Sequence, residues 1–265
     1  MIKQIHKISK ILFLIYIIFF SVLAMALNTN PTPLSFFMVS LSTLIFVALV
    51  WIDAFRVLGK LRAVWFIVLC VLISFTSEYL GVNFGGVFGG SYHYNVLMRP
   101  MLGGVPLIVI AMWTAVVYVC YRIAVIIADK KMVFRNIYER IAEYLAVALF
   151  AALAAVCWDL VWDPLAVNTG SWFWHNPGPY FGIPTLNFVG WIIVVFFSCF
   201  IFELFFPSKK NDVKDIEIPF LGYLYLLIST VVLSLKLSLP HFALIAVILM
   251  LPYLLVIILK ELKNK

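Results

Sequence analysis

Eight stretches of this chain, 11–27, 34–52, 63–80, 105–127, 141–162, 188–206, 218–235 and 241–259, are apolar over roughly the 20 residues that a helix needs to cross a hydrocarbon core of about 30 Å. Nothing else in the sequence constrains the fold as tightly. Lipid offers the backbone no hydrogen-bond partner, so each stretch has to be helical. Composition agrees, with 65% hydrophobic and 12% charged residues and a mean hydropathy of +1.10, against about half and a quarter in soluble domains. The expected fold is an all-α polytopic bundle of about eight transmembrane helices, one integral membrane domain over 1–265.

Of the 19 Lys and Arg, all but Arg99 and Lys236 fall on one side of the spans. The excess of cations on cytoplasmic loops then places both termini in the cytoplasm of a multi-pass cell-membrane protein. The net charge of +7 reflects that topology and contact with anionic lipid, and no nucleic-acid partner is expected. Ala24-Met25-Ala26 after a basic start resembles a leader cleavage site, but the run is longer than the usual core of about 7–15 residues, so a retained helix is expected.

Two connections, 81–104 and 163–187, are long, aromatic and on the non-cytoplasmic side, and long ordered loops tend to be functional. They match one another. Gly90-Ser91-Tyr92-His93-Tyr94, Gly104-Val105-Pro106 and Trp113 correspond to Gly170-Ser171-Trp172-Phe173-Trp174, Gly182-Ile183-Pro184 and Trp191, with the same Pro-to-Trp spacing. Spans 3–4 and 5–6 therefore read as a parallel internal repeat within a motif-bearing core of about 63–206. The flanking spans, 11–52 and 218–259, carry no motif and are expected to complete the bundle or face lipid.

Each copy is headed by acid at the outer end of a span, Glu78 in one and Asp159 with Asp163 in the other. Carboxyl groups at such depth are costly and by default functional. Asp159 and Asp163, four apart, stack on one helix face if the helix continues to Pro164. Like charges so placed resist ionising together, and a carboxyl that keeps its proton is a general acid. The structural alternative is that Asp163-Pro164 ends the helix. Glu143 and Glu203, near cytoplasmic span ends, read as interfacial or paired.

Cys70, Cys120, Cys157 and Cys199 occur singly inside spans and read as packing residues. With His6, His93, His175 and His241 alone, and no HxxxH spacing, an oxygen-activating iron site is poorly supported and no metal is expected. No GxGxxG loop is present. The inventory favours chemistry by acid and water, without a cofactor.

The stretches Glu78-Tyr79-Leu80-Gly81, Phe88-Gly89 with Tyr92 and Tyr94, Gly104-Val105-Pro106 with Trp113, Asp159-Leu160 with Asp163-Pro164, Gly170 with Trp172 and Trp174, and Tyr180-Phe181-Gly182-Ile183-Pro184 with Asn187-Phe188 and Gly190-Trp191 resemble the carotenoid biosynthesis membrane proteins. That family includes the CruF-type carotenoid 1,2-hydratases and the bisanhydrobacterioruberin hydratases. The resemblance covers spans 3 to 6. Where the family usually reads Pro-Phe-Gly-x-Tyr-x-Tyr, this chain has Val87 in place of the proline and one residue more.

The resemblance implies a hydro-lyase that adds water to the terminal double bond of an acyclic carotenoid, giving a tertiary alcohol. The expected catalytic groups are Glu78, Asp159 and Asp163, with the split between acid and base left open. Tyr92, His93, Tyr94, Trp113, Trp172, Trp174, His175, Asn187 and Trp191 form the expected substrate-binding set. The rings of Tyr92, Tyr94, Trp172 and Trp174 would stabilise a cation, and His93 or His175 would help a carboxylate take the proton from water. The expected partners are the carotenoid, water, the bilayer and other carotenoid biosynthesis enzymes. Two competing readings are a transporter, disfavoured by the lack of broken spans and mid-membrane charge, and a non-catalytic carotenoid- or lipid-binding protein.

Overall fold

The computed structural model describes residues 8, 11–17, 32–128, 136–207 and 215–263. A short helical stretch, α1 (11–17), precedes α2 (Pro33–Leu58), α3 (Lys60–Phe84), α4 (Leu107–Ile127), α5 (Ile137–Asn168), α6 (Thr185–Phe205), α7 (Glu217–Lys236) and α8 (Pro240–Lys263). The helices α2 to α8 are each long and apolar enough to cross a membrane, and the fold is an all-α polytopic bundle. The remainder of the expected first span, and with it the leader question, lies outside the described residues.

The bundle is organised around α4, which touches α2, α3, α5, α6, α7 and α8. Every residue from Trp113 to Ile126 is buried, as a helix apolar on all sides requires. The outer helices instead show exposed apolar residues such as Phe37, Leu72 and Ile248. Cys70, Cys120 and Cys199 are free and buried, and Cys157 is free and half-buried.

The helix α5 runs straight through Pro164, so Asp163 does not end it. Proline lacks the N–H that would bond the carbonyl four residues earlier. That carbonyl belongs to Leu160, and the Tyr180 hydroxyl donates to it at 3.0 Å. The second aromatic loop thus repairs the helix that carries two of the acids. Pro106 and Pro184 each stand, extended, just before the first turn of α4 and α6.

The two long connections form small antiparallel ribbons. In the first, β1 (Tyr92–Tyr94) pairs with β4 (Trp172–Trp174), setting Tyr92 opposite Trp174, His93 opposite Phe173 and Tyr94 opposite Trp172. In the second, β2 (Met101–Leu102) pairs with β3 (Val105–Pro106). Side chains alternate across a strand. Tyr92, Tyr94, Trp172 and Trp174 therefore face the bundle while His93 and Phe173 face outward. Two glycines let this roof close on the helices. A Cβ on Gly81 would lie 2.8 Å from the Tyr92 hydroxyl, and one on Gly190 would lie 2.6 Å from the Phe88 ring.

Candidate active site

Beneath the β1–β4 ribbon lies a cavity of about 290 Å³. Its walls come from α2, α3, α4, α5, α6 and α7, and it holds Glu78, Asp159 and Asp163. All three carboxyls are buried. Their partners are neutral throughout. Glu78 Oε2 accepts from the Tyr92 hydroxyl at 2.6 Å and the Tyr94 hydroxyl at 2.7 Å, while Oε1 accepts from Trp113 Nε1 at 2.8 Å. Asp163 Oδ1 accepts from Trp172 Nε1 at 2.6 Å. The Asn187 amide nitrogen donates to Asp163 Oδ2 at 2.6 Å and to Asp159 Oδ2 at 3.0 Å, binding the two aspartates together.

Among the described residues no Lys or Arg forms an ion pair with any of the three. Burial, and after it the Glu78 carboxyl, push the Tyr92 and Tyr94 phenols well above the usual tyrosine range. Both remain O–H donors at physiological pH.

Aromatic rings fill the rest of the wall. Trp113 and Trp191 stack with centroids 3.8 Å apart. Trp158 stacks on Trp162 at 5.2 Å and meets Trp191 edge-on at 5.8 Å. Tyr92 lies 4.7 Å from Trp174, and Tyr94 lies 5.8 Å from Trp172. The result is a carboxyl cluster bounded by π faces, suited to presenting a proton to an apolar ligand and to holding positive charge.

Ten of the twelve residues expected from the sequence line this cavity: Glu78, Tyr92, Tyr94, Trp113, Asp159, Asp163, Trp172, Trp174, Asn187 and Trp191. His93 and His175 stand apart from it. They are exposed on the outer face of the ribbon, His93 Nδ1 lying 3.0 Å from His175 Nε2. Strand alternation puts them there, and neither lines the cavity that holds the acids.

Sequence reading missed Trp158 and Trp162, which line the cavity. The signal was present, since they precede Asp159 and Asp163 by one residue each and so form the neighbouring strip of α5. It also missed α2 and α7, expected only to complete the bundle, which contribute Ser42, Thr43, Tyr225 and Ser229 to the wall.

Fold and site together define a multi-pass membrane protein with a buried, aromatic-walled carboxyl centre. A family model described as carotenoid biosynthesis protein matches residues 32–253, and the chain belongs to that family. The match extends beyond the motif-bearing spans to α2 and α7, the two further walls of the cavity. The chain is also 28% identical over 205 residues to a bisanhydrobacterioruberin hydratase of Haloarcula japonica. That alignment covers 76% of this chain and 66% of the relative, just under two thirds of its length. No solved structure matches the chain.

Proposed function

We propose that this protein adds water across the terminal carbon–carbon double bond of an acyclic carotenoid end group, giving a tertiary alcohol, by acid catalysis from its own side chains. The observation that carries the reading is the meeting of three buried carboxyls, served only by neutral donors, inside an aromatic cavity. Three uncompensated negative charges are not sustained in such surroundings, so the cluster retains a proton.

Asp159 is the proposed donor. It receives a single N–H, whereas both oxygens of Glu78 and of Asp163 already accept hydrogen bonds and leave less room for a proton. The alkene π pair takes the Asp159 proton at the less substituted carbon, and positive charge develops at the tertiary carbon. The surrounding Tyr and Trp faces stabilise it, each by about 0.5–2 kcal/mol. A water lone pair then forms the C–O bond, and the water proton passes to a carboxylate of the cluster.

The resemblance of α3–α4 to α5–α6 supports treating them as two copies that share this site. Pairing of β1 with β4, stacking of Trp113 on Trp191 and the matched Pro106 and Pro184 agree with that. We further propose that the ribbons face the non-cytoplasmic side and both termini the cytoplasm, which sets the acids near an interface where water is available.

The test is expression of the chain in a host that makes an acyclic carotenoid, followed by product mass analysis in oxygen-18 water. The expected product is heavier by one water and carries solvent oxygen. Label arriving from molecular oxygen, or an unchanged carotenoid, overturns the reading, the second in favour of transport or binding.

A further inference from the structure

A cavity of about 290 Å³ stands at the low end of the roughly 300–1,000 Å³ that encloses a drug-sized molecule. It has room for the end of a polyene, but not for a chain able to reach across a core of about 30 Å. A long substrate whose end meets the acids must therefore leave the cavity along one of its walls.

The ribbon, α3, α4, α5 and α6 close the cavity with hydrogen-bonded acids and packed rings. The remaining side is built differently. It follows α2 from Ser35 to Thr43 and α7 from Tyr225 to Lys236, about 12 and 16 Å of helix at about 1.5 Å per residue. Three hydroxyl groups of this side are engaged within the walls or between α2 and α7. Thr43 Oγ1 donates to the Val39 carbonyl at 2.9 Å, Ser229 Oγ donates to the Leu226 carbonyl at 3.1 Å, and Ser42 Oγ lies 3.2 Å from the Tyr225 hydroxyl. Met38, Val39 and Leu233 line the space with apolar surface, and Lys236 lines it at the last turn of α7. Val39 lines the cavity and is nevertheless 54% exposed, so this side is open at Val39, whereas at Ser42 and Tyr225 it is closed by Tyr16 of α1, whose hydroxyl donates to the Ser42 carbonyl at 3.0 Å.

We propose that α2 and α7 form a lateral slot that holds the hydrocarbon tail of a long acyclic isoprenoid and leads it from the carboxyl cluster into the surrounding lipid. The identity of the reacting end rests on the hydration reading. The slot itself needs only that such a chain binds.

The test uses the full chain in lipid vesicles with an acyclic isoprenoid hydrocarbon carrying a diazirine midway along its length. After irradiation, label is expected on α2 between residues 33 and 46 and on α7 between residues 225 and 236. An excess of unlabelled acyclic polyene is expected to displace it. Val39→Trp, at an exposed position, is expected to reduce that labelling at least fivefold and to lower the preference for long over short isoprenoid substrates at least tenfold.

Label concentrated on other helices overturns the proposal. So does a diazirine phospholipid that marks the same segments and is not displaced by polyene, which makes the slot an ordinary lipid groove. Labelling requires no turnover, so the two readings fail separately. Label on α2 and α7 with no water added to any carotenoid defeats hydration and leaves the slot. Water addition with labelling and length preference unmoved by Val39→Trp defeats the slot and leaves hydration.

Discussion

Asp53 and Asp159 are equally buried, each 1% exposed, in surroundings of opposite kind. Asp53, near the C-terminal end of α2, accepts from Arg56 Nη2 at 2.6 Å, from Arg122 Nη1 at 3.1 Å and from the Tyr118 hydroxyl at 2.9 Å. Arg56 Nη1 also reaches Asp215 Oδ2 at 2.9 Å, and Arg122 Nη2 donates to the Asp215 carbonyl at 2.7 Å. This cluster ties α2 and α4 to the chain entering α7. Nearby, Glu203, expected to be interfacial or paired, is fully buried and accepts from the Tyr121 hydroxyl at 2.7 Å. Asp159 and its neighbours beneath the ribbon have tyrosine, tryptophan and asparagine donors and no cationic partner among the described residues.

The difference is one of how charge is neutralised. A buried carboxylate paired with guanidinium groups is neutralised by its partners, and its role is to hold helices in register. A carboxyl cluster without a counter-ion is neutralised by a proton, and a proton is what the proposed hydration consumes and returns.

Four outcomes would break or sharpen that contrast. The largest is expected at the carboxyl cluster beneath the ribbon. Asp159→Asn should lower the rate of water addition by about 10²–10⁴-fold, the span typical of a lost general acid, with the thermal unfolding midpoint in detergent little changed. An equal loss of stability would make the cluster structural.

The second concerns the Asp53 cluster. Arg122→Met leaves Asp53 buried with one guanidinium fewer and should cost about 3–5 kcal/mol of stability, read by thermal or denaturant unfolding. Replacing Asp53 together with Arg122 by apolar residues should recover most of it. If Arg122→Met instead abolished turnover in a protein of normal stability, the contrast would collapse.

A smaller effect is expected where neutral donors hold Glu78. Tyr92→Phe and Tyr94→Phe each remove one hydroxyl and should each cost about 1.5–3 kcal/mol, seen as a roughly tenfold or greater loss in turnover. The smallest belongs to the outward face of the ribbon. His93→Ala and His175→Ala should change turnover less than about twofold, since exposed substitutions away from special features are usually within about 0.5 kcal/mol. A large effect there would restore the histidines to the chemistry.

Much of the architecture could be read locally. Apolar length located the helices, and the matched loop motifs located the acids and the aromatic wall around them. The boundary at Pro164 could not be read, because whether a proline ends a helix depends on a distant donor, here Tyr180, reaching the orphaned Leu160 carbonyl. The histidines were misplaced for a similar reason. Tyr92, His93 and Tyr94 are adjacent in sequence, and only pairing with β4 decides which of them point inward.

By itself, then, the sequence determined a membrane bundle with acid-headed aromatic loops, because hydrophobic length, charge placement and motif spacing are properties of a single strand of chain. Only the tertiary structure decided that ten of the expected residues share one cavity, that the histidines lie outside it, and that α2 and α7 contribute to its walls. Those facts depend on strand phase and on helices far apart in sequence coming to face one another, and burial is a property of such contacts rather than of the order of residues.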